Sequence, residues 1–280
     1  MLTINIYRKS VLSALAAIFV LASCQKKFDP KSYAPDQTFG GYNSSNEISP
    51  SNLVAHFAFE GDLSDSVSKT SATNTGTSFT PGIKGQGLQV GLNNYAVFAP
   101  TTAIKGLQSM TISFWINTPT NATGIQAPVS FVNPTQFWGN FDAYFDGQTA
   151  TDGFLKFHIF GSGGSQEKFL DQWKLSNPWG TWLHFTLSYD APSTTFIFYV
   201  NGAQFGSTTV ANFGSLNFAN CPAIVLGTIQ FMTNPSLTTG TDAQPWASYL
   251  LGVMDELRIY DKALAPADIK ALYQLENLGR

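Results

Sequence analysis

The stretch from Gly252 to Tyr273, GVMDELRIYDKALAPADIKALY, most sharply limits what this chain can fold into. It reads as a closing core strand followed by a short helix. Val253, Leu257 and Ile259 share one strand parity, as residues facing an apolar interior do. Asp255 shares it too. A carboxylate on the core side of a strand is costly unless something neutralises it or donates hydrogen bonds to it. The stretch therefore predicts a buried polar site within the strand. In the helix, Pro266 suits the first position and Asp268 the first turn, and Ile269, Leu272 and Tyr273 follow at helical spacing.

Period-two alternation recurs upstream. Leu53, Ala55, Phe57 and Phe59 form one apolar row, and Met110, Ile112, Phe114 and Ile116 another. Leu155, Phe157 and Ile159, then Leu183, Phe185, Leu187 and Tyr189, then Phe196, Phe198 and Val200 repeat the pattern. Asn201-Gly202 supplies the positive φ angles of a tight hairpin turn. Helical signal is confined to the end. The expected class is all-β: a two-sheet antiparallel sandwich with a short C-terminal helix.

The N-terminus reads as an address. Arg8 and Lys9 precede the apolar run Val11–Ala22, which is short for a membrane span and ends at small residues. Leu21-Ala22-Ser23-Cys24 resembles the bacterial lipobox, in which the cysteine is diacylated and becomes the mature N-terminus. Residues 1–24 are then a lipoprotein signal peptide, and Cys24 carries the membrane anchor. Gln25, not Asp, follows the cysteine, and resemblance to Gram-negative lipoproteins then implies the outer membrane over the inner one. Residues 25–50, rich in Pro, Gly, Asn and Ser, read as a flexible tether spanning roughly 25–30 Å. Residues 51–280 remain for one large domain. The only other cysteine is Cys221. Followed by Pro222 and an apolar run, it reads as a buried, inert thiol. With 15 basic and 18 acidic residues and no basic run in the domain, nucleic acid is not the expected partner.

Five stretches, in order, resemble the laminin-G-like, concanavalin A-like jelly-roll domains of secreted bacterial proteins. They are LVAHFAFEGDLSDS (Leu53–Ser66), KGQGLQV with YAVF (Lys84–Phe98), MTISFWI (Met110–Ile116), the hairpin TWLHFTLSYD through FIFYVNGAQFGS (Thr181–Ser207), and Gly252–Tyr273. The resemblance implies a jelly-roll sandwich and one structural Ca²⁺ held by Asp62 and Asp65 of the opening loop with Asp255 of the last strand. Such an ion needs six to eight oxygens. The alternative is that Asp65 caps its own turn and Asp255 accepts backbone N–H bonds. The chain departs from the family pattern at Glu60, at Ser66-Val67, and at Ala265, which gives up a helix cap worth about 1 kcal/mol.

Two sets of aromatic residues are candidates for a ligand. Trp115, His158, Trp182, His184 and Tyr199 fall on the polar parity of their strands, where they are either a platform or architecture. Trp138, Tyr144, Trp173, Trp179 and Trp246 lie in or beside loops, where they either bind ligand or plug the sandwich ends. Rings offer flat apolar surface to sugar C–H groups, with polar neighbours for the hydroxyls. No alternating carboxylate triplet of the glucanase kind occurs, and neither Glu60 with Asp62 nor Asp142 with Asp146 has the spacing of a retaining pair. The expected function is an envelope-anchored, non-catalytic glycan-binding lipoprotein. A protein-binding adhesion or assembly module and a glycoside hydrolase without a recognisable motif are the alternatives.

Overall fold

A computed structural model of the chain describes residues 37–120, 123–162 and 167–280. The predicted signal peptide, Cys24 and the predicted tether as far as residue 36 lie outside them. The described residues contain sixteen strands. The first four are β1 (Leu53–Phe57), β2 (Thr73–Thr75), β3 (Ser78–Pro81) and β4 (Gln86–Val90), and the next four β5 (Tyr95–Phe98), β6 (Met110–Asn117), β7 (Ile125–Phe131) and β8 (Phe141–Phe145). Then come β9 (Asp152–Phe160), β10 (Glu167–Ser176), β11 (Leu183–Asp190) and β12 (Thr195–Val200), followed by β13 (Ala203–Thr209), β14 (Ile224–Leu226), β15 (Ala247–Ser248) and β16 (Gly252–Tyr260). A four-residue helix, α1 (Thr102–Lys105), precedes β6, and α2 (Pro266–Glu276) closes the chain.

The strands form two sheets. The first runs β13-β12-β11-β6-β16-β4-β3, with β1 also paired to β16; the second runs β10-β9-β8-β7-β14-β5-β2, with β15 on β7. All pairings are antiparallel except the two-residue contact of β15 with β7. The sandwich and its terminal helix are as the sequence predicts. The apolar rows face each other between the sheets, where Phe57 meets Phe98 at 4.5 Å and Phe157 meets Phe198 at 5.3 Å between ring centroids. Each such ring, fully buried, contributes about 1.5–3 kcal/mol. Asn201 and Gly202 have φ of 51° and 72°, the tight turn expected between β12 and β13. Cys221 is buried, and burial pushes its thiol up to about 12, so it is inert as expected.

The parity of β16 breaks in the middle. Its pairing with β6 slips between Asp255 and Arg258, and Glu256 sits at φ 47°. This is a β-bulge, which places one extra residue on the strand and reverses its facing. Met254 packs in the core before it; Leu257 and Ile259 do so after it. Asp255 therefore does not face the core, contrary to the simple alternation. It turns outward with Glu256, Arg258 and Tyr260. Its Oδ2 accepts the backbone N–H groups of Ile83 and Lys84 at 2.9 and 3.1 Å, and its Oδ1 that of Glu256 at 2.8 Å. A Cβ on Gly82 would collide with that Oδ2, which is why this turn needs glycine.

The outward residues of β16 are fully buried, and Arg258 reaches the last turn of α2. Arg258 donates through Nε to Glu276 Oε1 at 2.7 Å and through Nη2 to Glu256 Oε2 at 2.6 Å. The same Nη2 reaches Ser45 Oγ and Asn46 Oδ1, each at 3.1 Å. Trp115 Nε1 donates to Glu276 Oε2 at 2.8 Å, and Tyr273 stacks on Trp115 at 5.5 Å. Burial works against ionisation of Glu256, but His56, Arg258 and Lys84 outweigh it and hold its carboxyl below the usual range. Burial pushes the Glu276 carboxyl up to about 8 against the pull of Arg258. His184, buried beside Ser113, is pushed down to about 3, first by burial and then by Arg258, and so stays neutral.

Residues 38–50 correct the predicted tether boundary. They are part of the domain: Ser45 donates to Arg280 O at 2.8 Å, Tyr42 to Asp268 Oδ1 at 2.9 Å, and Ile48 packs with Leu272 and Leu275 of α2. The sequence hid this because the anchoring groups are single residues without a period.

Burial pushes the Asp255 carboxyl up to about 8, despite its backbone donors. An acid raised in the folded state keeps its proton while the unfolded chain releases it, so it costs stability as pH climbs from its ordinary value to its folded one. Denaturant midpoints of wild type and Asp255→Asn, compared across pH, are expected to shift against wild type between about pH 4 and about pH 8. A constant difference across that window would show that the carboxyl ionises normally.

Candidate ligand-binding site

The outer face of the second sheet carries Asp142 and Tyr144 from β8 and Lys156 and His158 from β9, opposite in parity to the core row Phe141, Ala143, Phe145, Leu155, Phe157 and Ile159. Two long loops fold over it. The β7–β8 loop brings Phe137 and Trp138; the segment between β14 and β15 brings Phe231 and Trp246. A cluster of amides fixes them, buried at Gln230, Asn133 and Asn140 and exposed at Asn220. Gln230 accepts from Asn133 N at 2.7 Å and donates to the carbonyls of Gln136 and Phe137 at 2.9 and 3.0 Å. Asn133, Asn140 and Asn220 hydrogen-bond in a ring.

Trp138 is the centre of the resulting aromatic group. Its ring stacks on Tyr144 at 5.2 Å, lies 6.3 Å from Trp246 and meets Phe169 edge-on at 5.6 Å. Phe137 stacks on Trp246 at 5.9 Å. Beneath it, His158 lies 5.7 Å from Trp138, with Nε2 on Glu167 at 2.9 Å and Nδ1 3.3 Å from Asp142. Asp142 also accepts from Gly139 N at 2.7 Å and Ser130 Oγ at 2.5 Å, so it anchors the loop that carries Trp138.

Beside Trp138 opens a cavity of about 540 Å³, lined by Thr123, Gly124, Ile125, Tyr144, Asp146, Gly147, Gln148, Trp138 and Trp246. Its size suits a small ligand. Trp246 is 42% exposed and free to meet one. Asp146, the carboxylate on the wall, is ion-paired with Lys156. Burial, with Asp142 and Asp146 nearby, raises Tyr144 above the ordinary phenol range, so it stays a neutral hydroxyl. Rings, amides and a hydroxyl around a semi-open hollow can stack on and hydrogen-bond a polar ring-shaped ligand.

Of the five loop aromatics singled out from sequence, three meet here: Trp138, Tyr144 and Trp246. The other two do not. Trp173 turns inward, stacking on Phe198 at 4.9 Å, because β10 slips register between Leu170 and Trp173. Trp179 lies edge-on to Phe145 at 5.4 Å and donates to Thr149 O at 2.8 Å. Both are architecture. So are Trp115, His184 and Tyr199, buried on the outer face of the first sheet. His158, buried beneath Trp138, lies on the other sheet, and Trp182 is half-buried before β11.

The chain matches the family model described as the concanavalin A-like lectin/glucanases superfamily over residues 90–270. It belongs to that superfamily. The match begins after the opening stretch Leu53–Ser66, which the structure nonetheless places beside β16. Among solved structures, the chain is similar to domain 4 of AbnA, a GH43 extracellular arabinanase from Geobacillus stearothermophilus, in complex with arabinotriose: TM-score 0.56, 20% identity, covering 80% of this chain and 98% of that one. It is also similar to botulinum neurotoxin type C, whose cell entry is dependent upon interaction with two ganglioside molecules: TM-score 0.61, 15% identity, 83% of this chain and 53% of that one. The binding domain of botulinum neurotoxin DC, in complex with rat synaptotagmin II, gives TM-score 0.56 at 14% identity, with 81% and 52% covered. The chain spans about half the length of the two toxin chains. These likenesses show the fold. Among curated proteins there is no match to this sequence.

The calcium set that the superfamily resemblance implies is not assembled. Among the described residues no group of three or more His, Cys, Asp or Glu side chains is placed to hold a metal. Asp62 is exposed and caps Ser64 N at 2.7 Å. Asp65 is buried: its Oδ1 accepts from His56 N and Val67 N at 2.8 and 3.0 Å, its Oδ2 from Ser68 N at 3.0 Å and Ser68 Oγ at 2.5 Å. Asp255 is engaged by the turn at Gly82. Each carboxylate has its own donors, as the turn-capping alternative expects. Phe169 and the amides that fix the loops were not singled out from sequence; the only signal of Phe169 was an apolar residue on the polar parity of a strand.

Asp65→Ala strips acceptors from three backbone N–H groups, a loss of about 3 kcal/mol or more. Its Tm is expected to fall equally in calcium and in EDTA. A wild-type Tm that rises with calcium while the variant's does not would put a metal in the loop.

Proposed function

We propose that this chain is a non-catalytic glycan-binding lipoprotein of the bacterial envelope. The observation that carries the reading is the cavity at Trp138, Tyr144 and Trp246, where exposed indole surface stands beside amide and hydroxyl groups. Rigid rings lose little entropy on binding and match the C–H faces of sugars. Similarity to an arabinanase domain in complex with arabinotriose and to a ganglioside-dependent toxin supports the ligand class. Absence of catalysis is part of the reading: Asp146 is paired with Lys156, and Asp142 is spent on Ser130 and Gly139 behind Trp138. The anchor is a proposal from sequence alone, resting on Cys24 after its apolar run.

Pull-down of the domain on immobilised polysaccharides is expected to retain wild type and to lose Trp246→Ala, with far-ultraviolet circular dichroism confirming that the variant keeps its fold. No retention on a broad panel would remove the glycan reading, and release of reducing sugar would replace it with hydrolysis. A protein partner is the second reading, favoured by the exposed Trp246 and Phe169, since large rings anchor protein interfaces too. Separately, Cys24→Ser is expected to move the full chain from the membrane to the soluble fraction of expressing cells. Unchanged membrane association would remove Cys24 as the anchor.

A further inference from the structure

The aromatic surface does not stop at the cavity. Phe169, on β10, lies outside the cavity wall, is 45% exposed, and touches Trp138 edge-on. Trp138 therefore meets two exposed rings, Trp246 on the cavity wall and Phe169 outside it. The path between them crosses β8, β9 and β10, along Tyr144↔Lys156 and Phe169↔His158.

The two described cations that the outer face presents along that path, Lys156 and His158, each already have a carboxylate beside them, and Lys168 lies on the opposite parity of β10. Lys156 pairs with Asp146, and His158 lies between Asp142 and Glu167. A ligand carrying its own carboxylate or sulfate would have to break one of these pairs to gain a counter-charge. A neutral ligand leaves them intact and still finds rings and hydrogen-bonding groups.

We infer that the ligand is a neutral oligosaccharide bound over two subsites: the cavity holds one part, and Phe169 forms a shelf for the units that run past Trp138. Phe169 is then the residue that reads chain length, and the paired charges are what exclude acidic glycans. This rests on the glycan reading of the cavity and goes beyond it in ligand charge and in extent.

The test uses neutral gluco-, xylo-, manno- and arabino-oligosaccharides of two to six units, with oligogalacturonates and sulfated heparin fragments of matching length. Affinity for one neutral series is expected to rise about tenfold as length grows, the scale of one added aromatic contact. Phe169→Ala should abolish that rise, weakening the longer oligosaccharides more than the shortest one that binds; Trp246→Ala should weaken every length. Preference for an acidic series would overturn the proposal. So would a length dependence unaltered in Phe169→Ala while Trp246→Ala loses binding, which leaves the cavity reading standing. No binding by any series would sink both.

Discussion

Arg258 holds the outer face of the first sheet together. A guanidinium removed from water costs several kcal/mol unless its charge and its N–H groups are met inside. Here Glu256 meets the charge, Glu276 accepts from Nε, and Ser45 and Asn46 take further N–H bonds from Nη2. Those partners come from the bulge in β16, from the last turn of α2 and from the segment before β1. Removing any one leaves a buried charge short of compensation. The helix must dock, the bulge must form, and residues 38–50 must fold back, or the arginine is stranded. Ile48, Tyr260, Leu264, Ile269, Leu272 and Leu275 supply apolar burial around it, but apolar contact alone would fix neither the register of the helix nor the path of the entering chain.

The two sheets solve the same problem differently. Each has one face in the core and one to cover. The first is covered by a helix and an ionic network, and the result is solid. The second is covered by loops pinned at Gln230, Asn133, Asn140 and Asp142. Loops pinned at points leave gaps between the pins, and the gap beside Trp138 is the candidate site. Superfamily membership explains the scaffold; the ligand is decided by these covering segments.

Much of the scaffold was legible because period-two rows of Phe, Leu and Ile specify both a strand and its inner face. The Asn-Gly turn was legible because few residues accept positive φ. The failures share a cause. At Asp255 and at Trp173 a bulge reverses facing, and nothing in the sequence announces it: Glu256 adopts φ 47° without being Gly or Asn. Counting parity through a bulge put Asp255 in the core, and reading the bulged strand β10 as a loop gave Trp173 to the ligand. For the site, sequence supplied the right residue type but not its direction. Trp138, Trp173 and Trp179 are chemically alike, and only the register of the strands beside them separates a binding ring from a packing one.

Ser45 bonds to the carbonyl of Arg280, so the segment before β1 and the residues that follow α2 meet on the face that α2 covers. The aromatic cavity opens on the opposite sheet. A bead, a surface or a fusion partner joined near either of these points therefore holds the domain from behind. The geometry suits dense arrays, because neighbouring copies fixed in this way would all turn their aromatic faces outward.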